Sequence, residues 1–370
     1  MNDGLPRTYP GMSEFYAETV HCHMLENHAV ALEKYRKRIR RELAWMGIEP
    51  RQLQDFTCLD VGTGYQAIIL AELGCRRVFH RDISNRQVQW LRSYCRTHGL
   101  EAIHSEQADL MDDWEVAEPL DLSLMIGVYH HLPEPPRLLR SVWERTRDGG
   151  MIFLRCYRSG TWSRWLTAQL RTLSAYCTPE QLLAEYRQQC DDAYDGQFLG
   201  DMLDDLFVPV WKCYHPRQFR EDAARLGMAV RTEDGEFDLD LEAQDENFRI
   251  LMRKGSERVA SPPLDDFSTG ESIDQLALDL AAYPQLKEAA QRLHALAMRA
   301  ETLEQNVLAS RLLALYRLVR PDCRHTTKKF GAAGGVPVTL TERTDALLAA
   351  LRDGHGETRP GPLTENGCIS

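Results

Sequence analysis

The chain has 370 residues, of which 43% are hydrophobic, 27% charged and 8% aromatic, with a formal net charge of −11. That is the mix of an ordinary globular protein with enough apolar side chain for a sizeable core. The acidic balance speaks against nucleic acid as a partner, because a negative surface repels phosphate.

The first residues, MNDGLPRTYPGMSEF, hold no basic start followed by an apolar run, so no secretory signal is expected there. No apolar stretch reaches the roughly 18 residues needed to span a bilayer, so no membrane role is expected. Ten cysteines are scattered without a CxxC pair, which reads as reduced thiols and a cytoplasmic setting. His21, Cys22, His23 and His28 invite a metal reading. No second ligand group of matching spacing follows, and on a helix His21 and His23 would point about 200° apart, so no metal is expected. Val30, Leu32, Tyr35, Ile39, Leu43 and Met46 recur at helical spacing before Gly47, which marks an amphipathic helix. The basic run Lys34–Arg41 lies on it between Glu33 and Glu42 and reads as a solvated face.

From Phe56 the pattern changes to short apolar runs. Strands are expected at Thr57–Val61, Arg77–Arg81, Ala102–Ser105, Leu120–Gly127, Met151–Cys156, Met228–Thr232 and Phe248–Met252. Helices are expected at Ala67–Leu73, Arg86–His98 and Pro136–Thr146, with a loop near Leu110–Pro119. Such alternation implies an α/β fold: a doubly wound, mostly parallel, seven-stranded, Rossmann-like sheet with helical additions. The last two strands suit an antiparallel edge pair. The expected division is a helical cover over 1–50, a core domain over 51–255 with a helical insertion at 157–214, a linker at 256–272, a helical extension at 273–353 and a disordered tail at 354–370. The insertion is a candidate substrate lid or a packing appendage. The C-terminal helices are a candidate homodimer surface or docking module.

The strongest local signal is Leu59-Asp60-Val61-Gly62-Thr63-Gly64-Tyr65-Gln66, between a strand and a helix. Its glycines permit a tight turn and bring backbone N–H groups close to a ligand. About twenty residues on, His80-Arg81-Asp82-Ile83-Ser84 ends the next strand, where a carboxylate can accept from both hydroxyls of a ribose. Gln107-Ala108-Asp109-Leu110, Ile126-Gly127-Val128-Tyr129-His130-His131-Leu132-Pro133 and Arg147-Asp148-Gly149-Gly150 follow in order. Together these residues resemble the class I S-adenosylmethionine-dependent methyltransferases, with the likeness covering roughly residues 50 to 254. The resemblance implies S-adenosylmethionine as cofactor. Asp60, Gly62 and Gly64 would line its methionine part, Asp82 would hold the ribose, and Ile83, Asp109 and Leu110 would face the adenine. Gly127 would floor the site near the methyl group. Gln66 stands where many members carry a third glycine. A nucleotide-dependent dehydrogenase shares part of the pattern, but Asp60 before the loop and the Asp109 and His-His segments argue against it.

For catalysis His130 and His131 are the candidate bases, against a reading as strand-end caps. Tyr129, Tyr157, Arg158 and Trp162 are candidate substrate contacts, with Arg155 and Trp165 beside them. The arginines suit an acceptor bearing an anionic group, whereas Tyr and Trp at helical spacing are more often core. His215 and Arg217 are weaker candidates, and Glu14 and Tyr16 are placed to close over the cofactor. The expectation is methyl transfer to a small-molecule substrate. The alternatives are methylation of a protein or RNA, and a catalytically silent fold that binds a partner.

Overall fold

The computed structural model describes residues 10–26, 28–112, 114–189, 196–232, 247–256, 263–267, 270–272, 283–319 and 339–352. The expected tail at 354–370, residues 257–262 and 268–269 of the linker at 256–272 and the side chain of His23 lie outside them.

Two short helices, α1 (Pro10–Phe15) and α2 (His21–Glu26), flank a π-turn at Tyr16–Val20 and lead into α3 (His28–Met46). The apolar stripe of α3 buries Leu32, Tyr35, Ile39, Leu43 and Met46, each such burial contributing about 1.5–3 kcal/mol. Val30, read as part of that stripe, is instead 73% exposed, because at 100° per residue it falls on the face opposite Leu32 and Ile39. Gly47 ends the helix at φ +75°, a conformation costly for any side chain.

The alternating core follows: β1 (Thr57–Val61), α4 (Tyr65–Glu72), β2 (Arg77–Asp82), α5 (Asn85–His98), β3 (Ile103–Gln107), β4 (Leu120–Ile126), α6 (Pro135–Arg145) and β5 (Thr146–Tyr157). Then come α7 (Trp162–Ser174), α8 (Pro179–Gln189), α9 (Gly196–Phe207), the short β6 (Lys212–Cys213), α10 (Pro216–Arg225), β7 (Met228–Thr232) and β8 (Asn247–Lys254). Seven strands form one sheet in the order β3-β2-β1-β4-β5-β8-β7. The first five run parallel, and β8 and β7 are antiparallel, as the sequence pattern predicts. β5 begins earlier than expected. The turn at Arg147–Gly150 bulges out between the pairs Leu120↔Thr146 and Leu122↔Met151.

Both faces are covered, which is why the strands read as apolar runs. Along β5, Met151 and Phe153 enter one cluster with Leu122, Leu124, Tyr35 and Ile68, while Ile152, Leu154 and Cys156 enter the other with Leu138, Val142 and Phe219. The order reverses between β1 and β4, so the crevice beyond their carboxyl ends is the natural ligand site.

The chain divides into two compact units, one from 1–171 and 190–278, the other from 172–189 and 279–370. In the second unit α8 packs with α12 (Gln305–Val319), and α11 (Pro284–Ala300) and α12 both pack with α13 (Leu340–Arg352). Leu182, Tyr186, Leu293, Leu312, Tyr316 and Leu347 are buried there. Among the described residues no helix is long and apolar enough to cross a membrane.

Candidate functional site

All five residues of β1 are buried, and the chain then turns through Gly62 (φ +121°) and Gly64 (φ +78°). A Cβ on Gly64 would meet Leu91 Cδ2 at 2.7 Å, so packing as well as backbone conformation demands glycine. Three side chains fix the loop. His80 donates from Nε2 to the Gly62 carbonyl (2.6 Å) while its Nδ1 faces Ser105 Oγ at 2.8 Å. Burial lowers the His80 pKa to about 4, so the ring is neutral, and a carbonyl partner requires the proton on Nε2. The Gln87 amide donates to the Thr63 carbonyl. Asp60 Oδ2 accepts from the Ala67 N–H at 2.9 Å. With its loop carbonyls engaged from behind, the turn keeps one shape. Neither His80 nor Gln87 was singled out from sequence, since nothing local signals a bond across twenty residues.

The other Asp60 oxygen, Oδ1, is buried and has no hydrogen-bond partner among the described residues. Burial pushes the Asp60 pKa up to about 7, with the Ala67 bond pulling against it. Asp82, at the end of β2, accepts from the Ser84 N–H at 2.6 Å, and burial raises it to about 8 with a contribution from the Asp60 charge. Two carboxyl groups of raised pKa thus flank the glycine turn. Gln66 is buried in the first turn of α4 and accepts from Thr63 Oγ1 at 3.4 Å, so its side chain is absorbed locally.

Ile83 follows the end of β2 and lies against the N-terminal helices. Its carbonyl receives Ser13 Oγ (2.8 Å) and Gln107 Nε2 (3.0 Å), and its side chain packs in a cluster with Met12, Phe15, Tyr16 and Tyr157. Asp109 closes its own turn, accepting from Met111 N–H at 2.9 Å, and Leu110 is placed in the core with Trp114. Gly127 takes φ +79°, donates to the Arg155 carbonyl at 3.2 Å and has no neighbour within 4 Å of a notional Cβ. The loops after β1 and β4 are adjacent, because a Cβ on Gly62 would lie 3.2 Å from Val128 Cγ2.

Beyond β4 the residues separate. Tyr129 is core, its ring 5.1 Å from Phe219 and 5.5 Å from Tyr214. His130 stacks on Tyr157 at 3.5 Å, and burial drops its pKa well below the usual histidine value. The Arg164 guanidinium lies 3.5 Å over the same ring, necessarily on the opposite face. His131 donates from Nδ1 to the Val210 carbonyl (3.0 Å) and brings Nε2 within 3.1 Å of Asp204 Oδ2. Tyr16 donates to Asp204 Oδ1 at 3.0 Å, placing the N-terminal segment over the strand ends. Burial lowers His21 to about 4, against the raising effect of Asp204.

The other candidates are placed elsewhere or used internally. Arg155 and Arg249 hold the buried Glu42 of α3 at 3.4 and 3.0 Å. Trp162 and Trp165 are buried 6.5 Å apart, and Arg158 forms an isolated bridge with Tyr214. His215 caps α10, and Arg217 pairs with exposed Glu221. Asp204, Asp205, Arg164 and Trp211 were missed. The signal for the two aspartates is a group of three, Asp201, Asp204 and Asp205, inside the largely apolar helix α9. Among the described residues no group of three His, Cys, Asp or Glu side chains is placed to hold a metal ion.

Residues 26–225 match the family described as Methyltransferase domain. No curated protein matches the chain. Among solved structures the chain is similar to magnesium protoporphyrin IX methyltransferase from Synechocystis, at 12% identity, 66% of this chain and 98% of that one, with a TM-score of 0.42. The YcgJ protein of Bacillus subtilis is 11% identical over 59% of this chain and 100% of that one, with a TM-score of 0.37. The [4+2]-cyclase SpnF is 22% identical over 27% of this chain, which spans only 38% of the cyclase's length, with a TM-score of 0.26.

Proposed function

The chain belongs to the methyltransferase-domain family, and on that premise we propose that it transfers a methyl group from S-adenosylmethionine to a small-molecule acceptor. The observation that carries this reading is the pair of buried carboxyl groups, Asp60 and Asp82, on either side of a glycine turn at the point where strand order reverses. An unpartnered buried Asp60 Oδ1 suits an ammonium donor, and an ammonium there would pull the raised Asp60 pKa back down. Asp82 spends one oxygen on Ser84, which leaves the other to accept from ribose hydroxyls. Ile83 and Asp109 lie on the adenine side, and the bare Gly127 leaves room near the methyl group. The residues present therefore fit the cofactor.

When bound, the cofactor supplies an electrophilic methyl group on a sulfonium. The rest of the task is alignment and exclusion of water. α1, the π-turn and α2 supply the cover, through Ser13 on the Ile83 carbonyl and Tyr16 on Asp204. His130 is held neutral by burial, which makes it a weak base, so it is better suited to orient an acceptor than to take its proton.

Calorimetric titration with S-adenosylmethionine and S-adenosylhomocysteine tests the donor site, and no binding of either would overturn the reading. Incubation with tritium-labelled donor and a cell extract tests the acceptor class. Label is expected in the small-molecule fraction, and label confined to protein or RNA would refute a small acceptor.

A further inference from the structure

Six rings form a continuous belt at the carboxyl ends of the central strands. From centroid to centroid, His21 lies 5.3 Å from Tyr16, Tyr16 6.3 Å from His131 and His131 4.2 Å from His130. His130 then lies 3.5 Å from Tyr157, and Tyr157 5.8 Å from Trp211. All but Tyr16 are buried, yet His21 Nδ1, both His130 nitrogens and Trp211 Nε1 have no hydrogen-bond partner among the described residues. Buried polar atoms are normally satisfied, so several orphans along one belt point to a ligand.

The charges say which kind. Asp204 is the hub, with Tyr16 on one oxygen and His131 Nε2 beside the other, and its side chain keeps 17% exposure. His131 donates from Nδ1 to the Val210 carbonyl, and its Nε2 lies 3.1 Å from Asp204 Oδ2. A partly exposed carboxylate set in a belt of aromatic rings suits a group that brings N–H donors and positive charge. The nearby cations, meanwhile, are held by the protein itself. Arg164 pairs with the fully buried Asp205 at 3.0 Å, and Arg171 donates to the carbonyls of Asp205 and Val208 at 2.7 and 2.6 Å. Arg155 is turned to Glu42. Of the two arginines that suggested an anionic acceptor, Arg155 is thus committed to the protein's own carboxylate.

We propose that this belt is the acceptor site and that it takes a small amine on an apolar, aromatic body, with the amine N–H groups directed to Asp204. The inference rests on the methyltransferase reading above. In the reaction, the bound ammonium first gives one proton to water; the freed nitrogen lone pair then forms the new C–N bond as the methyl carbon–sulfur bond breaks and its electron pair returns to sulfur. The positive charge passes from sulfur to nitrogen, where Asp204 stabilises it until an N–H proton leaves to water.

The test titrates three probes of similar shape into the full chain in the presence of S-adenosylhomocysteine: 2-phenylethylamine, 2-phenylethanol and 3-phenylpropionate. The amine is expected to bind at least about tenfold more tightly than either other probe, and Asp204→Asn to weaken it by about tenfold or more. Unchanged affinity for S-adenosylhomocysteine in that variant would show that it folds. Binding of the alcohol or the carboxylate as tight as the amine, no binding of the amine, or an Asp204→Asn variant with full amine affinity would overturn the proposal. Amine binding without any S-adenosylhomocysteine binding would instead overturn the donor reading and leave the amine site standing.

Discussion

Consider Asp60→Asn in the ligand-free chain. Asp60 is fully buried, its folded pKa lies at about 7 against an ordinary 3.8, and burial is the dominant cause. An acid whose folded pKa is raised keeps its proton in the folded state after the unfolded chain has released it. Its contribution to stability therefore falls as pH rises from about 4, and levels off above the folded value. The whole shift corresponds to about 4 kcal/mol, of which about 2.5 kcal/mol develops between pH 5 and pH 8. Asn can still accept from the Ala67 N–H, but its amide group is left buried without an acceptor, at a pH-independent cost of about 1–3 kcal/mol. The variant is thus expected to be close to wild type at pH 5 and more stable by about 1–3 kcal/mol at pH 8. Urea unfolding of both proteins at the two pH values measures the difference; titrations common to both cancel, and losing the Asp60 charge beside Asp82 adds to the same trend. A stability difference that stays the same at pH 5 and pH 8 would refute a raised Asp60 carboxyl, and with it the idea of a site held ready for a positive charge.

Three further outcomes are expected. Asp82→Ala should weaken S-adenosylhomocysteine binding by about 1–3 kcal/mol in calorimetry, the range for hydrogen bonds to a charged group; unchanged affinity would count against the ribose assignment. Gly64→Ala places a Cβ 2.7 Å from Leu91 Cδ2 at φ +78°, so it should destabilise the fold by about 1–3 kcal/mol in denaturant unfolding; a neutral result would mean that α5 yields there. Glu42→Gln leaves Arg155 and Arg249 facing a neutral group in a largely buried setting, and a loss of about 2–4 kcal/mol is expected in the same measurement; a neutral result would mean that solvent reaches those arginines.

The sheet was legible because a strand buried on both faces writes itself as an unbroken apolar run, and β1 and β7 were bounded to the residue. The glycine turn and Asp82 were legible for a different reason: their positions follow from strand–turn–helix order alone. What the sequence left hidden depends on contacts between distant segments. His80 reads as a strand residue until Gly62 is seen 2.6 Å away, and Arg155 reads as a substrate contact until Glu42 of α3 is found beside it. Asp204 gains meaning only because Tyr16, 188 positions away, donates to it. Tyr129 and Leu110, singled out for their proximity in sequence to a binding loop, also take part in the core cluster, which no local pattern announced.

The second unit draws α8 from the middle of the chain and its remaining helices from the end. During synthesis α8 leaves the ribosome more than a hundred residues before α12, against which it packs. Its apolar residues Leu182 and Tyr186 must therefore wait without their companions, while the residues that follow build the sheet's outer strands. A truncation that removes the C-terminal helices would leave α8 permanently without the helix it packs against.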